Sequence, residues 1–146
     1  MAAIPDATVL AFDFGTRRIG VAVGNTLTRV AHPLSTIEAG LASRMDAIGA
    51  LIDEWRPQQL VVGLPTHADG TPHAMTRSAQ RFAADLAERF KLPVALVDER
   101  WTTEAAQDEL RAARRGRDGR MMRDQVAAQL ILQAYFDEHR TPSRDA

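Results

Sequence analysis

The sequence contains no cysteine, which excludes a disulfide framework and any thiolate metal site and fits a reducing compartment. No apolar run approaches the roughly 18 residues that a membrane-spanning helix needs, and the N-terminus carries no signal-peptide pattern. There is no internal repeat and no linker that would split the chain. These absences lead to the expectation of one cytoplasmic domain over residues 1–138, with a disordered tail over 139–146. The 146 residues are 45% hydrophobic and 25% charged, the composition of a globular chain that can bury an ordinary core.

Charge is unevenly placed. Residues 111–123, "RAARRGRDGRMMR", hold six arginines and one aspartate, a local balance of +5 within a formal net charge of −1. The remainder of the chain is therefore at −6. A basic segment on an acidic body points to a polyanion met at one place, with Arg114, Arg115, Arg117 and Arg120 as candidate phosphate contacts. The plainer alternative is a solvated loop.

The apolar pattern gives the elements. "TVLAFDFG" is a continuous apolar run, as in a strand buried on both faces. "RIGVAVGN" follows through the tight "GTRR" turn, and "RVAHPLSTIE" is a third strand that Pro33 pushes to a sheet edge. Leu41, Met45, Ile48, Ile52 and Trp55 line one helix face, ended by Pro57. "QLVVGLP" is a short buried strand. A second helix carries Ala79, Phe82, Leu86 and Phe90, and "PVALVDER" is the last strand. Two more helices are expected over "TTEAAQDELRAA" and "RDQVAAQLILQAYFDEH". The final one carries Val126, Leu130 and Ala134 on one face and Asp124 in its first turn. This order predicts an α/β fold with the first strand central in a mixed five-stranded sheet, three antiparallel strands then two parallel, flanked by helices.

Asp13 ends the first strand, and a carboxylate at the end of an apolar run needs a hydrogen bond, a partner charge or a metal. Either it turns the chain or it binds something. In the predicted topology Asp13 and the pair Asp98 or Glu99 lie on the sheet edge where open α/β sheets bind ligands. Asp124 reaches that edge if the last helix packs across the sheet. Converging carboxylates suit a hard divalent cation such as Mg²⁺. Each residue also has a plainer reading: Asp13 as a turn residue, Asp98 or Glu99 as an arginine partner, Asp124 as a helix-dipole partner.

The stretches "FDFGTRRIGVAVG", "VVGLPTHADGT", "VDERWTTEAA" and "RDQVAAQLILQAYF" resemble, in order, four blocks of the YqgF family. That family, also called RuvX, comprises candidate pre-16S rRNA nucleases resembling Holliday-junction resolvases. The resemblance covers nearly the whole chain. It implies an RNase H-like fold and a cytoplasmic hydrolase acting on phosphodiesters in 5′ processing of small-subunit ribosomal RNA. It also implies an acidic site at Asp13, Glu99 and Asp124, holding Mg²⁺ or Mn²⁺. Asp98 should point to the opposite face by strand alternation. Arg17 stands where the family usually has lysine, and Arg17 and Arg18 would join the basic segment in positioning the nucleic-acid backbone. Precursor rRNA is the preferred partner, branched DNA the first alternative, and the assembly is expected to be a monomer or a homodimer. A non-catalytic binding or ribosome-assembly factor is the rival reading.

Other motifs carry less. "DFGT" also occurs in the phosphate turn of actin-like ATPases, which need two such domains. His67 and His73 flank a loop and lack a third metal ligand. Trp101 could stack on a base or simply pack.

Overall fold

The computed structural model describes residues 7–15, 17–38, 40–65, 75–98 and 119–138. Strands β1 (Thr8–Asp13), β2 (Arg18–Asn25) and β3 (Ala31–Glu38) come first, then helix α1 (Leu41–Trp55) and strand β4 (Gln59–Leu64). Helix α2 (Thr76–Phe90), strand β5 (Val94–Asp98) and helix α3 (Gly119–Glu138) follow. The five strands form one sheet in the order β3-β2-β1-β4-β5. β1 pairs antiparallel with β2 and parallel with β4, β2 pairs antiparallel with β3, and β4 pairs parallel with β5. The central position expected for the first strand is therefore observed. Val9, Leu10, Ala11 and Phe12 of β1 are each fully buried, which is why this strand reads as an unbroken apolar run rather than an alternating one.

Pro33 lies in β3 at the sheet edge, as predicted, beside an irregularity in the β2–β3 pairing at Val21 and Ala22. A proline has no amide hydrogen for the ladder, so only an edge accommodates it without loss. α1 ends where Arg56 turns left-handed (φ 48°) and donates its N–H to the Ile52 carbonyl. Pro57, which cannot continue a helix, follows immediately. The helix expected over residues 102–113 and the tail over 139–146 lie outside the described residues.

The sheet carries a core on each face. On one, Leu10, Phe12, Ile19, Val21, Leu60 and Val62 pack against Ile48 of α1 and Ala79, Phe82 and Leu86 of α2. On the other, Val9, Ala11, Ala22, Val61 and Val97 pack beneath Ala128, Ile131, Leu132 and Phe136 of α3. The α3 face matches the expectation in part. Val126 is buried as expected and Ala134 packs half-buried against the core, but Leu130 is only half-buried and the inward side also takes in Asp124, Ala128, Ile131, Leu132 and Phe136. Between Val126 and Phe136, α3 is apolar except at Gln129 and Gln133, so helical periodicity alone cannot choose its inward face. The sheet chooses it. Gly20 and Gly24 of β2 leave room for the helix, and a Cβ on Gly24 would lie 2.6 Å from the Phe136 ring.

Polar side chains of α3 complete the fit. The Gln133 amide donates to the Arg29 carbonyl (3.0 Å) and accepts from the Ala31 N–H (3.1 Å), while Gln129 donates to the Ala31 carbonyl (3.1 Å). They satisfy the backbone at the start of an edge strand and fix α3 along the sheet. Among the described residues, no helix is long and apolar enough to cross a membrane.

Candidate functional site

Asp13 is the last residue of β1 and pairs in register with Gly20 of β2. Val9 and Ala11, four and two residues earlier, belong to the core under α3. Strand alternation therefore puts Asp13 on the α3 face of the sheet. Asp124 arrives at the same place from α3. A Cβ built on Gly20 would collide with the Asp124 backbone carbonyl and sit 3.1 Å from its Cα. The helix thus rests on the strand at the register position of Asp13, because residue 20 has no side chain. Asp124 lies in the second turn of α3, which begins at Gly119, and no acidic residue occupies the first turn. Its expected place in the first turn is corrected accordingly, and with it the plainer reading as a dipole partner: the basic segment runs on into the helix and moves its start upstream.

The Asp124 carboxylate is oriented by charge. Arg18, the first residue of β2, donates from Nε to Asp124 Oδ2 at 2.7 Å, with the two side chains only 17% and 12% exposed. Arg123 approaches the other oxygen at 3.5 Å. An ion pair this enclosed stands only with short, directed hydrogen bonds. Arg18, expected at a phosphate, gives its Nε to this carboxylate. Arg17, beside it, is exposed.

β5 ends at Asp98, paired in register with Leu64. Val97 faces the α3 core, so Asp98 alternates to the other side, as anticipated. Glu99, Arg114, Arg115, Arg117, Trp101, His67 and His73 lie outside the described residues, and Arg120 falls in the first turn of α3. Of the three expected acids, the structure brings Asp13 and Asp124 to one face at one edge. Among the described residues, no group of three His, Cys, Asp or Glu side chains is placed to share a metal.

One residue escaped the sequence reading. Arg44 of α1 is 5% exposed, and its Nη1 donates to the Gly15 carbonyl at 2.6 Å. Its guanidinium lies 5.4 Å from the centroid of the Phe14 ring, a cation–π distance. It thereby ties α1 to the turn that follows Asp13. The signal was visible: Arg44 lies four residues before Ile48, a charge on the helix's buried side.

The profile of the RuvX family, described as Holliday junction resolvase, matches residues 7–138. A relative from Dechloromonas aromatica, named a candidate pre-16S rRNA nuclease, is 57% identical over 132 residues, spanning 89% of this chain and 90% of its own. A relative of the same name from Nitrosomonas europaea is 52% identical over 139 residues, 94% of each chain. Among solved structures, RuvC of T. thermophilus in complex with a Holliday junction substrate aligns with a TM-score of 0.55 at 15% identity, over 91% of this chain and 95% of its own. Fowlpox virus resolvase, in complex with Holliday junction DNA, gives 0.57 at 6% identity, over 92% and 99%. These likenesses at low identity establish the fold, which is RNase H-like. With the profile spanning residues 7–138 and relatives above half identity along most of their length, the chain belongs to the RuvX family.

Proposed function

We propose that this protein is a divalent-metal-dependent endonuclease that hydrolyses phosphodiesters of precursor 16S rRNA, at its 5′ end, in the cytoplasm. One observation carries the reading most directly: α3 is seated on Gly20, so Asp124 reaches the edge and face where Asp13 ends β1. The names of the relatives support the RNA substrate. Two aspartates supply hard oxygen donors, the ligand type Mg²⁺ and Mn²⁺ prefer. Asp13, Asp124 and Glu99 are the residues that would hold such an ion. Once bound, it would supply Lewis acidity toward the scissile phosphate. Arg18 fixes the Asp124 carboxylate by its 2.7 Å hydrogen bond. Arg17, Arg114, Arg115, Arg117 and Arg120 would take phosphates on either side of the cut and set the register of the strand. In the net reaction water adds to phosphorus and the 3′ oxygen leaves.

The test incubates the pure protein with labelled precursor RNA and with a four-way DNA junction, each in Mg²⁺, Mn²⁺ or EDTA. RNA cleavage that requires metal and disappears in Asp13→Asn is expected. Preferential cutting of the junction would replace this reading with a resolvase, for which a homodimer presenting two symmetric sites is the natural assembly. Tight binding without cutting of either substrate would leave a binding factor.

The basic segment gives a second expectation. Changing Arg114, Arg115 and Arg117 together to Ala should weaken binding of all RNA sequences alike. It should also flatten the dependence of log affinity on log salt by roughly 0.7–0.9 for each phosphate that is no longer neutralised. Filter binding across a salt series measures this. An unchanged slope would show that the segment touches no phosphate.

A further inference from the structure

A cavity of about 470 Å³ opens between α1 and α2, on the sheet face away from Asp124, lined by residues that include Phe14, Arg44, Met45, Arg77, Arg81 and Asp85. Its aromatic wall is Phe14, stacked at a tilt of 36° on Phe82 with ring centroids 4.9 Å apart. Arg44 lines it as a buried cation. Nη1 of Arg44 is used by the Gly15 carbonyl, but its Nε is buried with no hydrogen-bond partner. A buried guanidinium N–H without an acceptor is rare and costly in a native fold. Arg77 and Arg81, one turn apart on α2, are exposed at the rim. Among the described residues, neither is in an ion pair. Three guanidiniums and one carboxylate therefore surround a cleft whose wall is aromatic and aliphatic.

That combination selects its ligand. A simple anion would leave Phe14 and Met45 in water, and an apolar ligand would leave Arg77 and Arg81 unanswered. A nucleotide answers both, with its base against Phe14 and Met45 and its phosphate between Arg77 and Arg81. The volume lies within the range of small-ligand sites, and aromatic stacking with arginine is the usual way single strands are held. Phe14 follows Asp13 directly in the chain, so the cleft and the acidic edge share one turn.

From this geometry we infer that the α1–α2 cleft seats one nucleotide of the strand being cut, next to the scissile phosphate; the inference rests on the nuclease reading. The strand would cross the sheet edge at the turn after β1, with the scissile phosphate on the α3 side and the seated nucleotide on the α1–α2 side.

Binding separates this inference from the reaction. Fluorescence anisotropy of a labelled single-stranded oligoribonucleotide is measured in Asp13→Asn, alone and combined with Arg77→Ala and Arg81→Ala. Competition with adenosine monophosphate and with inorganic phosphate supplies the other arms. The two arginines are exposed, so their replacement leaves the core intact; a melting curve confirms folding. The expected result is at least tenfold weaker oligoribonucleotide binding, with the salt slope reduced by roughly 0.7 in all, for the one phosphate that the two arginines no longer neutralise. Arg77→Lys with Arg81→Lys should restore the slope. A 4-thiouridine in the oligonucleotide should crosslink under ultraviolet light to a peptide containing Phe14 or Met45. Unchanged oligonucleotide affinity with lost mononucleotide binding would overturn the strand assignment and make the cleft a free-nucleotide site. Unchanged binding of both would overturn the inference altogether. If wild type cuts no RNA while the arginine variant still loses strand affinity and slope, the cleft stands and the nuclease reading falls.

Discussion

Gly20→Ala will cost the protein about 3 kcal/mol, the upper part of the range for overpacking a filled site, and will remove cleavage. The added Cβ meets the Asp124 carbonyl carbon and oxygen. These are backbone atoms inside a helix, held by intrahelical hydrogen bonds, so no rotamer change relieves the clash. The helix has to lift. Lifting it opens a gap along Ala128, Ile131, Leu132 and Phe136, which fill the α3 face of the sheet, and dispersion attraction decays steeply over such gaps. It also draws Asp124 away from Arg18. Gly49→Ala is the matched control. Its Cβ would stand 3.4 Å from the Phe90 ring, and alanine is favoured over glycine inside a helix by up to about 1 kcal/mol. Urea denaturation of both variants should show a marked fall in midpoint for Gly20→Ala and little change or a rise for Gly49→Ala. Equal midpoints would mean that α3 does not rest on β2 as described.

The strands were legible in the sequence because burial on both faces writes a continuous apolar run. β1 and β4 are both of this kind. Pro33 marked an edge for a local reason, its missing donor. α1 and α2 were legible because each has a polar side: Ala79, Phe82 and Leu86 are the only large stripe that α2 can bury. α3 offers no such contrast. Its inward face is decided by two glycines about a hundred residues earlier in the chain, and no local pattern in the helix records them. The same separation hid the role of Arg18, whose partner Asp124 is 106 residues away. Asp13 was conspicuous as a charge at the end of an apolar run, but topology offered its companionship with Asp124 only on the condition that the last helix packs across the sheet, and the resemblance of ordered motifs to a family is what singled the pair out. Arg44 was missed because a single arginine on a helix stripe is ordinarily one that reaches out to water. Here it reaches instead to the Gly15 carbonyl.

Asp124→Ala and Arg18→Met separate what the pair does for the fold from what it does for the reaction. Asp124→Ala strands the Arg18 guanidinium, only 17% exposed in the folded protein, without its carboxylate. Removing one partner of an enclosed pair typically costs about 3–5 kcal/mol; residual exposure on both sides places this one near 3 kcal/mol. Joining Arg18→Met to Asp124→Leu removes both charges and fills the space with apolar atoms, so most of that loss should return, since enclosed pairs are often replaced by hydrophobic side chains at little cost. With Asp124→Leu alone as the matching single variant, the cycle of Arg18→Met, Asp124→Leu and the two together then measures the coupling directly. Cleavage should follow the opposite rule. It should be absent from every variant lacking Asp124, however stable, because the carboxylate is needed as an oxygen donor. Metal-dependent melts give the last discrimination. A cation that binds only the folded wild type raises its stability by about 2.7 kcal/mol at a hundredfold excess over its dissociation constant. The apolar double variant, though well folded, should gain almost nothing from millimolar Mn²⁺. If it is stabilised as much as wild type, Asp124 holds no metal, and its pairing with Arg18 serves the fold alone.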